Sequence, residues 1–241
     1  MENEFTIGQV FSKSFDIFSK NIVFMLIVAF LVSVPDALMQ ASPQSGVWIF
    51  ASFLAIFVVA FLAQGIVVFG VFQHLTGQQA VFSQSLNVAL ARFFPLLLVS
   101  IAGSFLAGIG FMLLIIPGII VMLALWVAVP VTIVEKGGVG FALSRSNTLT
   151  QGYRGRIFAV VFLLGILNWV LLGLEFFITS SIMPTGPGAG GLSAVLISLP
   201  LSTILSGMAT ALNSVVVTVG YYTLRHEVEG VAVEDLASVF E

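Results

Sequence analysis

The sequence predicts an all-α membrane protein, with six transmembrane helices, amphipathic interfacial helices, and a pattern that suggests a threefold parallel internal repeat. Three observations carry that reading. Of 241 residues, 59% are hydrophobic and 8% charged, whereas soluble domains carry roughly 25% charged residues, so no water-facing surface can be assembled from this chain. In lipid the outside of a bundle is as apolar as its inside and the backbone must satisfy itself; 23 phenylalanines and a mean hydropathy of +1.16 meet that demand. Second, the apolar runs have the roughly 17–25 residues that a hydrocarbon core of about 30 Å requires of a helix. Third, every Lys and Arg falls in alternate connecting segments.

Taken in order, the first element is an interfacial helix over 5–20. Gln9, Lys13, Asp16 and Lys20 recur at helical spacing opposite Ile7, Phe11, Phe15 and Phe18, a polar stripe against an aromatic one. Such a helix lies in the membrane interface with its apolar face sunk about 5–10 Å. The first span, 22–39, is apolar through Val34 and is then interrupted by Pro35 and Asp36. The second covers 47–72. FSQSLNVALAR (82–92) repeats the amphipathic pattern less cleanly, with Phe82, Leu86, Leu90 and Phe93 on one side and Gln84 and Asn87 on the other. Spans three and four, 95–116 and 118–134, cannot be one upright helix, which would be about 60 Å long at 1.5 Å per residue. Pro117 and Gly118 mark the expected reversal. LSRSNTLTQGYR (143–154) is the weakest amphipathic segment: Ala142, Leu149 and Tyr153 oppose Asn147, Gln151 and Arg154, and Phe141 does not fit. Spans five and six cover 157–182 and 192–223, Pro200 being expected to kink the last or end a separate first turn. A tail, 224–241, completes a single membrane domain, 1–241.

With six spans, Lys13, Lys20, Arg92, Lys136, Arg145, Arg154, Arg156 and Arg225 share one side. The positive-inside rule makes that side cytoplasmic and puts both termini inside the cytoplasmic membrane. No cleaved signal peptide is expected, because the segment before the first apolar run is long and amphipathic and no A-x-A site follows it. FSKSFDIFSK (11–20) and its two echoes each place Ser-x-Ser before a pair of spans, with first serines Ser12, Ser83 and Ser144. Interfacial helix, span out, span back, three times, is a parallel repeat; Ser-x-Ser also suits helix starts through local capping alone.

Residues 117–152, PGIIVMLALWVAVPVTIVEKGGVGFALSRSNTLTQG, resemble the signature region of uncharacterised bacterial six-helix membrane proteins related to the membrane domain of some glycerophosphoryl diester phosphodiesterases. Pro117-Gly118, Pro130, Glu135 with Gly137 and Gly138, Ala142, Arg145-Ser146, Leu149-Thr150 and Gly152 carry the likeness, and FTIGQVFSKSFDIFSKN resembles that family's amino-terminal helix. The resemblance implies a fold and a membrane location. It supplies no activity, and no segment outside the spans is long enough to hold the phosphodiesterase barrel that some relatives carry.

Two sets of residues are candidates for function. Asp36 and Glu175 are ionisable groups in the outer half of their spans, where no Lys or Arg neutralises them, and Asn168 and Asn213 extend them into a candidate intramembrane polar site. A charge within a span costs roughly 2.5–3.5 kcal/mol on insertion scales, so it faces a bundle interior, snorkels, or serves a function. Glu135, Arg145, Arg154 and Arg156 form the second set, either an ion pair clamping a loop or an anionic headgroup site suited to the arginine fork. Small residues four apart, Gly103 with Ala107, Ser104 with Gly108, Gly207 with Ala211 and Thr210 with Ser214, are expected to let spans three and six approach their neighbours closely. His74 and His226 read as interfacial residues, with no carboxylate or histidine cluster at metal-binding spacing. Without cysteine there is no disulfide or thiolate metal site. No catalytic, cofactor-binding or metal-binding residues are assigned, so the expectation is a non-enzymatic module that binds membrane lipids or another membrane protein. Small net charge, −3, argues against nucleic acid as a partner. A small proton- or cation-coupled transporter using Glu175 and Asp36 is the alternative, and a membrane enzyme of lipid metabolism comes third.

Overall fold

The computed structural model describes residues 5–41, 45–182 and 192–230, with side chains described outside 36–41, 179, 182 and 192–203. Described residues form helices α1 (Ile7–Lys20), α2 (Ile22–Ala41), α3 (Gly46–Leu75), α4 (Phe82–Ala91), α5 (Phe93–Leu113), α6 (Ile115–Ala124), α7 (Ala128–Val134), α8 (Val139–Thr150), α9 (Arg154–Ile182) and α10 (Leu192–Glu229), and among them there is no strand. Five stretches are long and apolar enough to cross a membrane: α3, α5, Ile115–Val134, α9 and the part of α10 from Ile204. The α1–α2 pair, bent by 87°, makes the count six when it is included.

Thr6 starts α1 by accepting the Gln9 amide on its side chain, and the helix then shows three faces. Val10, Ser14 and Ile17 are buried against the bundle; Lys13, Asp16 and Lys20 are exposed; and Phe11, Phe15 and Phe18 flank them, with Phe15 48% exposed and its ring stacked on Phe11. Of the aromatic stripe only Phe15 is directed at the surroundings, Phe11 and Phe18 packing partly against the core, and a third, narrower stripe does most of the docking. That stripe explains the echoed motif. In each echo the first serine is exposed, while the second, Ser14, Ser85 or Ser146, has no accessible surface at all. A serine is small enough to let a helix lie close on its neighbour, and its hydroxyl satisfies itself on a carbonyl, so the seat stays dry without an orphaned donor. Ser14 donates to the Val10 carbonyl at 2.6 Å, Ser85 to Val81 at 3.0 Å, and Ser146 to Ala124 at 2.8 Å.

Central in the bundle is α10, whose Ala211, Val215, Val216, Val219 and Leu224 are buried. Its Gly207 lies against α2 so closely that a Cβ there would stand 2.6 Å from the Ala29 carbonyl oxygen, which is the close approach expected for span six. Span three behaves differently. A Cβ on Gly108 would meet nothing within 4 Å, one on Gly103 would only touch the Leu125 side chain at 3.7 Å, and Gly103, Ser104 and Ala107 line an open cleft of about 400 Å³. Helices α5 and α9 are peripheral, with 17% of their apolar windows buried against 56% in α10.

Several boundaries differ from the sequence reading for identifiable reasons. Reversal between spans three and four occurs at Leu114, whose backbone is extended, not at Pro117. Pro117 sits in the first turn of α6, where a missing N–H is harmless, and Gly118 serves close packing: a Cβ on Gly110 would fall 2.9 Å from its Cα. Span four is broken between Ala124 and Ala128. Pro130 lacks the amide that would bond the Trp126 carbonyl, and the Ala128 amide turns to Leu125 at 3.1 Å, freeing the Ala124 carbonyl. Ser146 and Thr150, one turn apart on α8, both donate to that carbonyl, at 2.8 and 3.2 Å. Irregular backbone at this depth survives because the protein itself supplies its hydrogen bonds. Finally, α10 runs through Pro200 and on to Glu229 as one helix, so residues 224–229 are structured rather than tail.

Candidate functional site

Glu135 closes α7, and Lys136 after it adopts a left-handed backbone (φ 54°), unusual for a residue with a side chain. That turn presents the Glu135 carboxylate to α8 and α10. Arg145 donates from Nε to Glu135 Oε2 at 2.8 Å and reaches Glu229 through Nη2. Arg225 bonds Glu229 from Nε at 3.1 Å and lies 3.6 Å from Glu135 Oε1. Two carboxylates and two guanidinium groups thus alternate around a closed ring. Tyr221 completes it, donating to Glu135 Oε1 at 2.9 Å and accepting from Arg225 at 2.8 Å. The four charged side chains are 10–23% exposed. Burial alone would lower the Arg145 pKa, but hydrogen bonds and charge from Glu135 and Glu229 outweigh it and raise it above the ordinary value.

The arginines of the second candidate set are engaged within the protein. Arg145 is committed to carboxylates, Arg154 donates to the Asn147 side chain at 2.6 Å, and Arg156 donates to the Phe5 carbonyl at 2.9 Å. Glu227 accepts the Phe5 amide at 2.7 Å, so Glu227 and Arg156 hold the amide and the carbonyl of the same residue while the Phe5 ring packs edge-on against Tyr153. The set is a clamp fastening α1, α7 and α8 to the ends of α9 and α10. Tyr221, Arg225, Glu227 and Glu229 belong to it and are absent from the sequence candidates; the only local hint is the i,i+4 pairing of Arg225 with Glu229.

The intramembrane set is brought together in part. Asn168 and Asn213 exchange amide hydrogen bonds at 3.2 Å across α9 and α10, and each also donates to the carbonyl four residues back in its own helix. Glu175, two turns beyond Asn168, lines with it a cleft of about 300 Å³ together with Ser206 and Thr210 of α10. Glu175 makes no hydrogen bond or ion pair among the described residues. Asp36 lies on α2, and its side chain falls outside the described residues.

A larger cleft, about 580 Å³, opens at the bend between α1 and α2. Polar Lys20, Asn21, His74, Gln78 and Gln79 and apolar Val23, Ile27 and Phe82 line it together. Gly77, with φ 78°, ends α3 tightly enough to fold the loop back, and the Gln78 amide bonds the Gln73 carbonyl at 2.8 Å. Buried Gln73 then fastens α4, accepting the Val81 amide at 3.0 Å and donating to Gln84 at 2.6 Å. The rim is held by backbone and side chain alike.

Fold and sites together define a multi-pass, all-helical integral membrane protein. No family model, curated protein or solved structure matches the chain.

Proposed function

We propose that the protein is a non-enzymatic module of the cytoplasmic membrane, six-spanning with both termini inside, that works by binding lipid or a partner membrane protein. The observation that carries this reading is the fate of the charges. Glu135, Arg145, Arg225, Glu229, Arg156 and Glu227 are spent on holding helix ends and the amino-terminal segment together, whereas the clefts are lined mainly by neutral polar and apolar side chains. A set of placed acid, base and nucleophile is what an enzyme of lipid metabolism would require, and this arrangement favours that reading least. Three short helices, α1, α4 and α8, each precede a pair of spans, the second of which after α4 is the broken stretch Ile115–Val134, and each seats on a buried serine, which supports the threefold parallel repeat and an interfacial collar on the inner face. The resemblance to the bacterial six-helix family points to the same class.

Purification in mild detergent, followed by identification of the lipids and proteins that co-purify, tests the proposal; recovery of neither contradicts it. A spin label at Phe15 should be shielded from water and one at Lys13 water-accessible; equal water exposure removes the interfacial helix. The cleft beside Glu175 favours one second reading, a small proton- or cation-coupled transporter. Substrate-dependent flux in liposomes that is lost in Glu175→Gln would select it.

A further inference from the structure

We propose that the cleft at the α1–α2 bend binds the phosphate of an anionic phospholipid, with its acyl chains lying along α2. The inference rests on the lipid-binding reading above and names the ligand class and the place. Two chemically different kinds of side chain line it: Lys20 and His74 are basic or polar, and Val23 and Ile27, 68% and 44% exposed, are apolar residues of α2 open to the surroundings. A soluble anion would use only the polar residues, and a lipid uses both kinds. Its volume, about 580 Å³, is within the range of small-molecule sites.

The hydrogen bonds assign the donors. Asn21 Nδ2 lies 2.9 Å from the Ile17 carbonyl, which can only accept, so this atom is the amide nitrogen. Its second hydrogen meets His74 Nδ1 at 3.0 Å. With Nδ1 accepting, Nε2 is the ring nitrogen left to donate. Lys20 is paired with Asp16 at 2.8 Å, but both side chains are more than half exposed, and such a pair is worth little and exchanges readily. Its ammonium can turn to a phosphate. The first turn of α2, whose Ile22, Val23 and Phe24 line the cleft, adds amides without intrahelical acceptors and the positive end of the helix dipole. Arg145, Arg154, Arg156 and Arg225 are already engaged elsewhere.

Native mass spectrometry of the full-length protein released from nanodiscs of mixed phosphatidylglycerol and phosphatidylcholine tests the proposal. Wild type should retain phosphatidylglycerol in preference, and Lys20→Gln combined with His74→Leu should reduce the retained fraction on the order of tenfold, a loss of about 1.4 kcal/mol. Lys13→Gln, the same charge change on the exposed face of α1, should leave it unchanged, and thermal midpoints of all variants should stay within a few degrees of wild type. Glycerol 3-phosphate added in detergent should not displace the lipid. Equal loss in Lys13→Gln, or none in the double variant, overturns the site while the lipid-binding reading stands; displacement by glycerol 3-phosphate overturns the lipid in favour of a soluble phosphoester. Wild type retaining neither lipid nor partner removes the broader reading as well.

Discussion

At one end of the bundle Glu135, Arg145, Arg225 and Glu229 share a closed ring in which each charge has two partners. Some twenty residues along α9, about 30 Å at 1.5 Å per residue, Glu175 lines a cleft among Asn168, Ser206 and Thr210 with no ionic partner among the described residues. The same residue type is thus placed in two opposite ways. In the ring, each carboxylate is retained because removing it would strand the arginines, which is a folding reason. In the cleft, removing the carboxyl strands no charged partner among the described residues, which is why Glu175 is the residue on which the alternative transporter proposal rests.

The contrast is broken most forcefully at the ring. Glu135→Ala leaves Arg145, Arg225 and the Tyr221 hydroxyl without their shared acceptor, and is predicted to lower stability by about 2–4 kcal/mol, read as a fall in thermal midpoint in detergent. A change under half a kilocalorie would show that the ring holds nothing together. Next come the helix seats. Ser14→Leu, Ser85→Leu and Ser146→Leu should each cost about 1–3 kcal/mol by overpacking, whereas Ser12→Leu, Ser83→Leu and Ser144→Leu should stay within about 0.5 kcal/mol. Equal effects at first and second serines would dissolve the equivalence of α1, α4 and α8. At the edge of the cleft is the Asn168–Asn213 pair, for which a double-mutant cycle with alanine should give a coupling near 0.6 kcal/mol, the usual value for hydrogen bonds between spans. The smallest effect is predicted at Glu175: Gln should alter stability by less than about 0.5 kcal/mol, and Leu should leave it unchanged or raise it.

Much of this architecture was legible because its causes are local or additive. Apolar runs set the long helices, and Phe11, Phe15 and Phe18 against Lys13, Asp16 and Lys20 set α1 as amphipathic. Glu135 with Arg145 was visible as a pair ten residues apart. What escaped depends on distance in the chain. Tyr221 lies 86 residues from Glu135, and nothing local reveals that they meet. Pro117 looked like the turn because a Pro-Gly pair usually is one, yet the first turn of a helix accommodates proline equally well. The break in span four had a signal, Pro130, but its compensation by Ser146 and Thr150 from another helix did not. Of the small-residue stripes, the one containing Gly207 packs against α2 and the one containing Gly103 faces a cleft, because spacing offers a close approach without naming a neighbour.

The proposed topology puts the ring and the basic segments on the inner face and the opposite connections outside. Single cysteines at Ser45 and Ser144, both exposed in a chain without other cysteines, measure this directly with an impermeant thiol reagent on intact cells. Ser45→Cys should be labelled from outside, and Ser144→Cys, beside Arg145 on α8, only after the membrane is opened. Labelling of Ser144→Cys in intact cells would contradict the account.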